Sequence, residues 1–379
     1  MDTMNERARG TLLGLAVGDA LGTTYEFEAL EQRAYPALAT GPATDVVGGG
    51  PFDLAAGQVT DDTQLAVCLA RSLAAHGRLD VVDVAGRYVA WTAEAFDIGN
   101  QTRDALLRIE RGAPPATAGL ATWQQSGRRA AGNGSLMRTA PIAVALASPR
   151  RWSRAGGTAM ADPFPPSVRR DAAVIDAAMS DSAITHADPR CLLACAAFDL
   201  AIATAVTEPL DGAGMLAVAR RALGIAAVRL AERWRAAAGE VDDAGASRLT
   251  VPGRDDLAAI ETARADLERD LDAAVADDPR LYTPELHLHR TAGFVRVAFR
   301  LAFWHAVHTP SWRDALVDVA SRGGDADTNG AIVGALLGAR DGASAIPAAW
   351  VERVLGATQP GSPAWAEAHH PRHLLALAE

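Results

Sequence analysis

The chain has 379 residues, 49% of them hydrophobic, and a formal net charge of −10. It contains no lysine, so every basic side chain is arginine, which excludes a P-loop lysine, a Schiff-base lysine and PLP chemistry. An acidic chain without a basic run is a poor non-specific nucleic-acid binder, and no run of about 18 apolar residues marks a membrane span.

The N-terminus lacks a basic segment followed by an apolar one, so no signal peptide is expected. Residues 5–21 alternate small and apolar groups in a helical pattern. Gly14, Gly18 and Gly22 recur every four residues, which lets another helix or a ligand come close; Asp19 and Glu26 mark the end of this stretch. Residues 34–59 read as a loop. Residues 62–76 form a helix with Leu65, Leu69 and Leu73 on one face. "FDIGNQTR" (96–103) sets Asp97, Gly99 and Asn100 in a turn, and 113–134 reads as a loop. In "AAGNGSLMRTAPIAV" (130–144), Asn133, Gly134 and Ser135 form a glycine-rich turn. Such a turn either offers backbone N–H groups to phosphate or is a plain N-G turn with Ser135 as a cap.

Residues 168–206 give two alanine-rich helices broken at "THADP", which holds His186. Loops are expected at 148–167 and 239–253. Residues 213–238 and 254–276 form a charged helical pair, the second with Leu257, Ile260, Leu267 and Leu271 in one stripe. Helices at 291–308, 312–321, 328–340 and 347–356 complete the set. The pattern predicts an all-α protein, a compact multi-helix bundle in a single domain over 1–379. Cys68, Cys191 and Cys195 all fall in alanine-rich helical patterns, which predicts buried, reduced thiols and a cytoplasmic protein.

Two acidic clusters carry the chemistry. "VTDDTQ" (59–64) and "GGDADTNG" (323–330) each stand in front of an apolar helix. A helix start uses one cap and one acid near the positive end of its dipole. Further carboxylates repel unless a cation offsets them. Oxygen ligands suit Mg²⁺, Mn²⁺ or Ca²⁺ rather than zinc. An EF-hand loop from Asp325 fails, because its twelfth position is Leu336 rather than glutamate. Thr60, Asp61 and Asp62 are therefore expected to partner Asp325, Asp327 and Thr328.

The ordered segments "GDALGTTYEF", "TDDTQLAVCLARSL", "DIGNQTR", "GNGSLMRTAPIAV", "THADP" and "GGDADTNGAIVGALLGA" resemble the ADP-ribosylglycohydrolase family over most of the chain. The resemblance implies an orthogonal all-α helical bundle and a dinuclear Mg²⁺ or Mn²⁺ centre held by Thr60, Asp61, Asp62, Asp325, Asp327 and Thr328. It implies hydrolysis of the bond between ADP-ribose and a protein side chain, arginine above all, by a monomer acting on an ADP-ribosylated protein and releasing ADP-ribose. Glu26 and Asp97 are the candidates for acid/base work. Gly99, Asn100, Asn133, Gly134, Ser135 and His186 are the candidates for binding the ADP-ribose. Serine-linked ADP-ribose, poly-ADP-ribose and O-acetyl-ADP-ribose are alternative substrates, and a non-catalytic or structural relative is the alternative role. The resemblance also marks a variable helical insertion around 226–290, which could serve as lid, partner surface or packing. The chain departs from the family at Asn329 and Gly330, where small or apolar residues are usual, a change that either opens space near the metals or is neutral.

Overall fold

The computed structural model describes residues 3–147, 165–239 and 252–379. Among these the protein is all-α, with fifteen helices and no strand. The N-terminal half holds α1 (Thr3–Gly22), α2 (Asp61–His76), α3 (Val81–Trp91), α4 (Asn100–Glu110), α5 (Pro115–Gln125) and α6 (Ala140–Leu146). A central group follows: α7 (Pro166–Thr185), α8 (Pro189–Thr207), α9 (Gly212–Gly239) and α10 (Arg254–Ala273). The chain ends with α11 (Val295–His308), α12 (Trp312–Arg322), α13 (Ala326–Asp341), α14 (Ala348–Gly356) and α15 (Pro363–Ala368).

Helix α8 is the axis of the core. Every residue from Cys191 to Val206 is buried, as a helix apolar on all sides requires. Its length and composition would suffice to cross a membrane, but 89% of that window is buried inside the protein. Its one acid away from the N-terminus, Asp199, accepts from the Thr139 hydroxyl at 2.6 Å, and burial pushes its carboxyl well above the ordinary range.

Helices α1 and α13 run antiparallel with their backbones in contact. A Cβ added at Gly18 would lie 2.0 Å from the Gly330 carbonyl oxygen; at Gly14, 2.1 Å from that of Gly334; at Gly10, 2.3 Å from that of Gly338. The intervals of four in α1 therefore serve helix packing, with the matching series in α13. Gly330 is spent on this contact with Gly18, which gives this departure from the family a packing role rather than one of opening space. Such approach admits Cα–H···O contacts and fixes where both helices end.

Two regions differ from the sequence expectations. Residues 115–125, placed in a loop by their Gly, Pro and Ser content, form α5, because Pro115 at the first helical position needs no N–H partner. Residues 291–294 are not helical, and α11 starts at Val295. The expected loops at 148–167 and 239–253 fall largely outside the described residues. The stripe of α10 is buried at Ile260, Leu267 and Leu271. Buried Asp270 of α10 pairs with Arg296 and Arg300 of α11, so this helix is part of the packed body. The three cysteines are buried and free.

Candidate active site

The adjoining ends of α1, α2 and α13 converge on one point. Thr60 occupies the N-cap position of α2 but makes no capping bond. Its hydroxyl instead lies 3.0 Å from Asp19 Oδ1, 3.0 Å from Asp62 Oδ2 and 3.3 Å from Asp327 Oδ2. One hydroxyl proton cannot serve three carboxylates. Simple capping therefore does not account for this cluster. Asp19 is the foundation: it takes the N–H and hydroxyl of Thr60 and the N–H (3.1 Å) and hydroxyl (2.5 Å) of Thr63. Burial pushes its carboxyl up to about 6 against the pull of these bonds.

Asp325 stands at the N-cap of α13, again with no capping bond. Glu26 does that work from outside the helix, its Oε2 accepting from Ala326 N–H at 2.6 Å. An isolated bridge between Ala29 and Gly323 ties its segment to the start of α13. Asn133 donates through Nδ2 to Asp325 Oδ2 at 2.8 Å, and Thr328 N–H donates to Asp327 Oδ1 at 2.8 Å. Asp327 and Thr328 lie inside the first turn of α13 rather than before it, since the helix starts at Ala326.

Over this floor opens a cavity of about 330 Å³. Its acidic face is Glu26, Asp61, Asp97, Asp325 and Asp327, with Thr328 beside them. Its other walls include Gly99 and Asn100 at the start of α4, the Gly132–Gly134 turn, His186, and Ala292 with Gly293. Thr60, Asp62 and Asp19 lie beneath the cavity, buried.

Burial raises the whole acidic group. Asp61, Asp62 and Asp327 are pushed well above the ordinary carboxylate range by burial first and then by a neighbouring carboxylate, Asp97 for Asp61, Asp327 for Asp62 and Asp325 for Asp327. Glu26 is raised by burial, then by Asp327 and Asp325. Asp97 rises to about 6 through burial and Asp325. His186 moves the other way: burial, with Arg138 adding to it, depresses its imidazole to about 3. Arg138 Nη1 donates to Thr185 Oγ1 at 3.0 Å, and His186 Nδ1 lies 2.8 Å from the same hydroxyl. The other nitrogen of the neutral ring is Nε2. That nitrogen faces the glycine turn, where a Cβ at Gly134 would approach it to 3.1 Å.

Residues 1–377 match the family model described as ADP-ribosylglycohydrolase. The chain belongs to the ADP-ribosylglycohydrolase family, whose enzymes hydrolyse ADP-ribose linkages. It is 29% identical over 361 residues to the ADP-ribosylarginine hydrolase Tri1 of Pseudomonas putida, covering 92% of this chain and 74% of that one. It is 27% identical over 353 residues to the ADP-ribosyl-[dinitrogen reductase] glycohydrolase of Rhodospirillum rubrum, covering 93% and 91%. A solved ADP-ribosylglycohydrolase-related protein complex shares its fold, with a TM-score of 0.61 and 24% identity over 100% of this chain and 99% of the other.

In this glycohydrolase the residues singled out from sequence divide into three groups. Asp61, Asp325, Asp327, Thr328, Glu26, Asp97, Gly99, Asn100, Asn133, Gly134 and His186 line the cavity. Thr60 and Asp62 support its floor. Ser135 stands apart: its hydroxyl is fully buried, accepts from Ser182 at 2.9 Å and is no helix cap. The neighbouring N–H groups of Gly132 and Asn133 are already bonded, to Gln101 Oε1 and Gly293 O. The sequence reading passed over the Ala292–Gly293 wall, for which the sequence carries no distinctive signal, and gave Asp19 no role beyond ending a helix. An acid inside a stripe of glycines was the available clue.

Proposed function

We propose that this glycohydrolase cleaves the N-glycosidic bond between ADP-ribose and an arginine side chain of a modified protein, with two divalent cations, Mg²⁺ or Mn²⁺, as cofactors. The observation that carries the metal assignment is Asp62. It is fully buried, its Oδ1 has no hydrogen-bond partner, and its neighbours are carboxylates. One oxygen each of Asp19, Asp62 and Asp327, and likewise of Glu26, Asp325 and Asp327, lie within 4.8 Å of one another. These two triads share Asp327 and offer only hard oxygen donors, which suit Mg²⁺ or Mn²⁺. Asp61, Thr60 and Thr328 complete the donor set. When bound, the cations would supply positive charge that holds sugar hydroxyls and offsets the carboxylates.

The chain's own groups divide the remaining work. Asn133 fixes Asp325, and Thr60 and Thr63 fix Asp19. Neutral His186 turns its Nε2 to the ADP-ribose beside the Gly132–Gly134 turn, with Gly99 and Asn100 opposite. In the reaction the bond from the anomeric carbon to nitrogen breaks, water oxygen bonds to that carbon, and a proton passes to the leaving guanidine. Glu26 and Asp97 line the cavity and are the groups suited to orient that water or carry its proton. The arginine linkage follows the names of two relatives that match nearly the whole of this chain.

Release of free ADP-ribose from an arginine-linked and a serine-linked peptide tests this, each with Mg²⁺, with Mn²⁺ and with a chelator. Metal-dependent release from the arginine peptide is expected. Release from the serine peptide alone would overturn the linkage, and full activity in chelator would overturn the metal assignment.

A further inference from the structure

Beside the cavity lies a cluster of phenyl rings that the reaction above does not use. Phe27 is 70% exposed and Phe96 38%. Phe52 stands between them, its ring 6.3 Å from Phe27 and 5.5 Å from Phe96, edge to face in both cases. Phe27 follows Glu26 directly and lines the cavity, and Phe96 precedes Asp97. The ledge is thus joined through the backbone to two cavity carboxylates. Burying a phenyl side chain is favourable, so rings grouped at a site's exposed rim point to something that covers them.

The backbone is shaped to build this ledge. Phe27 has φ 62, a left-handed conformation that is strained for a bulky residue and collects at functional sites. It is held there by its N–H, which donates to Gly324 O at 2.7 Å. Phe52 rides on a tight hairpin in which Gly49 and Leu54 exchange N–H···O bonds of 2.7 and 3.0 Å. Gly48, Gly49 and Gly50 all have positive φ. Gly50 sits so close to the segment before Glu26 that a Cβ would lie 2.2 Å from Thr23 O, and Thr24 Oγ1 donates to Gly48 O at 3.0 Å. The loop before α2, which the sequence left without a role, thereby carries an aromatic ring to the cavity rim.

The surroundings select the occupant. Phenyl faces are electronegative, and the acids Glu26, Asp61 and Asp97 line the adjoining cavity, with exposed Glu28 and Asp53 next in sequence to two of the rings. Arg103, near Asp97, is engaged with Ile98 O and Asn100 Oδ1. A flat, weakly hydrated cation on an apolar stem fits this combination, and that is an alkylguanidinium.

We propose that Phe27, Phe52 and Phe96 hold the alkylguanidinium arm of an arginine-linked ADP-ribosyl polypeptide and so set the enzyme's preference for that leaving group. This rests on the arginine reading of the site. A serine-linked conjugate brings no cation to the ledge and gains nothing from it.

Phe52 is the ring to change, because it does not line the cavity. Phe52→Ala and Phe52→Trp are compared with the unaltered enzyme in two measurements: release of ADP-ribose from an arginine-linked peptide, and calorimetric binding of free ADP-ribose. Phe52→Ala should raise KM for the peptide roughly three- to thirtyfold, the span of exposed to desolvated cation–π contacts, with kcat little changed, as loss of uniform binding requires. Affinity for free ADP-ribose should be unchanged, and Phe52→Trp should keep KM at or below its original value. An unchanged KM in Phe52→Ala, with the unaltered enzyme active on the peptide, overturns the ledge and leaves the arginine reading standing. An equal loss of affinity for free ADP-ribose also overturns it, since the ring would then serve the nucleotide sugar. No release from the arginine peptide by the unaltered enzyme overturns both.

Discussion

Asp318 and Asp62 are equally buried, and their carboxyl groups shift in opposite directions. Burial pushes Asp318 up, but His305 and Arg322 more than reverse this and hold it below the ordinary range. Arg322 lies 2.8 Å away and His305 3.3 Å. Asp62 is pushed up by burial and then further by Asp327, Asp19 and Asp61. Elsewhere in the core, Asp181 faces Arg138 and Asp270 faces Arg296 and Arg300. Among the described residues, no such ion pair reaches Asp62, Asp61, Asp325 or Asp327. Burial alone therefore does not decide a carboxylate's state; the partner does. Asp199 also lacks an arginine, but it stands singly and takes the Thr139 hydroxyl; a group of several carboxylates left without a cation is the ground for proposing that it takes positive charge from solution.

The same substitution at the two places should give opposite results. Asp318→Asn leaves Arg322 buried without its counter-charge, and should cost about 3–5 kcal/mol, read from urea unfolding. Asp327→Asn removes one of several repelling carboxylates. The metal-free protein should be as stable as the parent or more so, while ADP-ribose release falls about 10³-fold, the scale of losing an essential electrostatic group. A loss of several kcal/mol in metal-free Asp327→Asn would erase the contrast and make Asp327 a structural residue.

Acidity sharpens it further. The folded-state carboxyls of Asp61, Asp62 and Asp327 lie above their unfolded value of 3.8. Their contribution to stability is thus present below about pH 4 and lost as pH rises through the folded values. A bound cation offsets that loss, and protons compete with it at low pH. Manganese at a hundred times its pH 8 dissociation constant should stabilise by about 2.7 kcal/mol at pH 8, and the same concentration should raise the melting temperature less at pH 5.5. Groups such as His186 and His305 are present in both arms of each comparison, so the difference reports the cluster. An equal rise at both pH values would mean that these carboxyls do not bind the ion.

Much of this was legible in sequence where chemistry is written in local spacing. Thr60-Asp61-Asp62 and Asp325-x-Asp327-Thr328 are too acidic for helix starts, and the structure brings them together. The four-residue interval of Gly14, Gly18 and Gly22 showed that something comes close, but not that Gly334, Gly330 and Ala326 meet it, because pairing is a tertiary fact. Ser135 looked like a cap or a ligand contact until Ser182 took it, and that partner lies 47 residues away. Phe27, Phe52 and Phe96 are unremarkable in a string; their meeting depends on one left-handed residue and one glycine hairpin.

The smallest effect tests how the fold holds the cluster in place. Alanine is favoured over glycine in a helix by about 1 kcal/mol, so Gly18→Ala would stabilise α1 if the helix stood alone. The new Cβ would instead meet Gly330 O at 2.0 Å and Gly330 C at 2.4 Å. Both atoms are backbone, and neither can turn aside without moving α13. Overpacking of this kind costs about 1–3 kcal/mol, which leaves a net loss of about 1 kcal/mol. Asp19 is the next residue and Asp327 lies in the first turn of α13, so the shift also spreads the cluster, and activity should fall about 10²-fold for a displacement near 1 Å. Gly86, in α3, is the control, since a Cβ there meets nothing within 4 Å and Gly86→Ala should raise the melting temperature with full activity. If thermal unfolding shows both variants stabilised alike, the two helices have room to part, and contact between their backbones is not what positions the carboxylates.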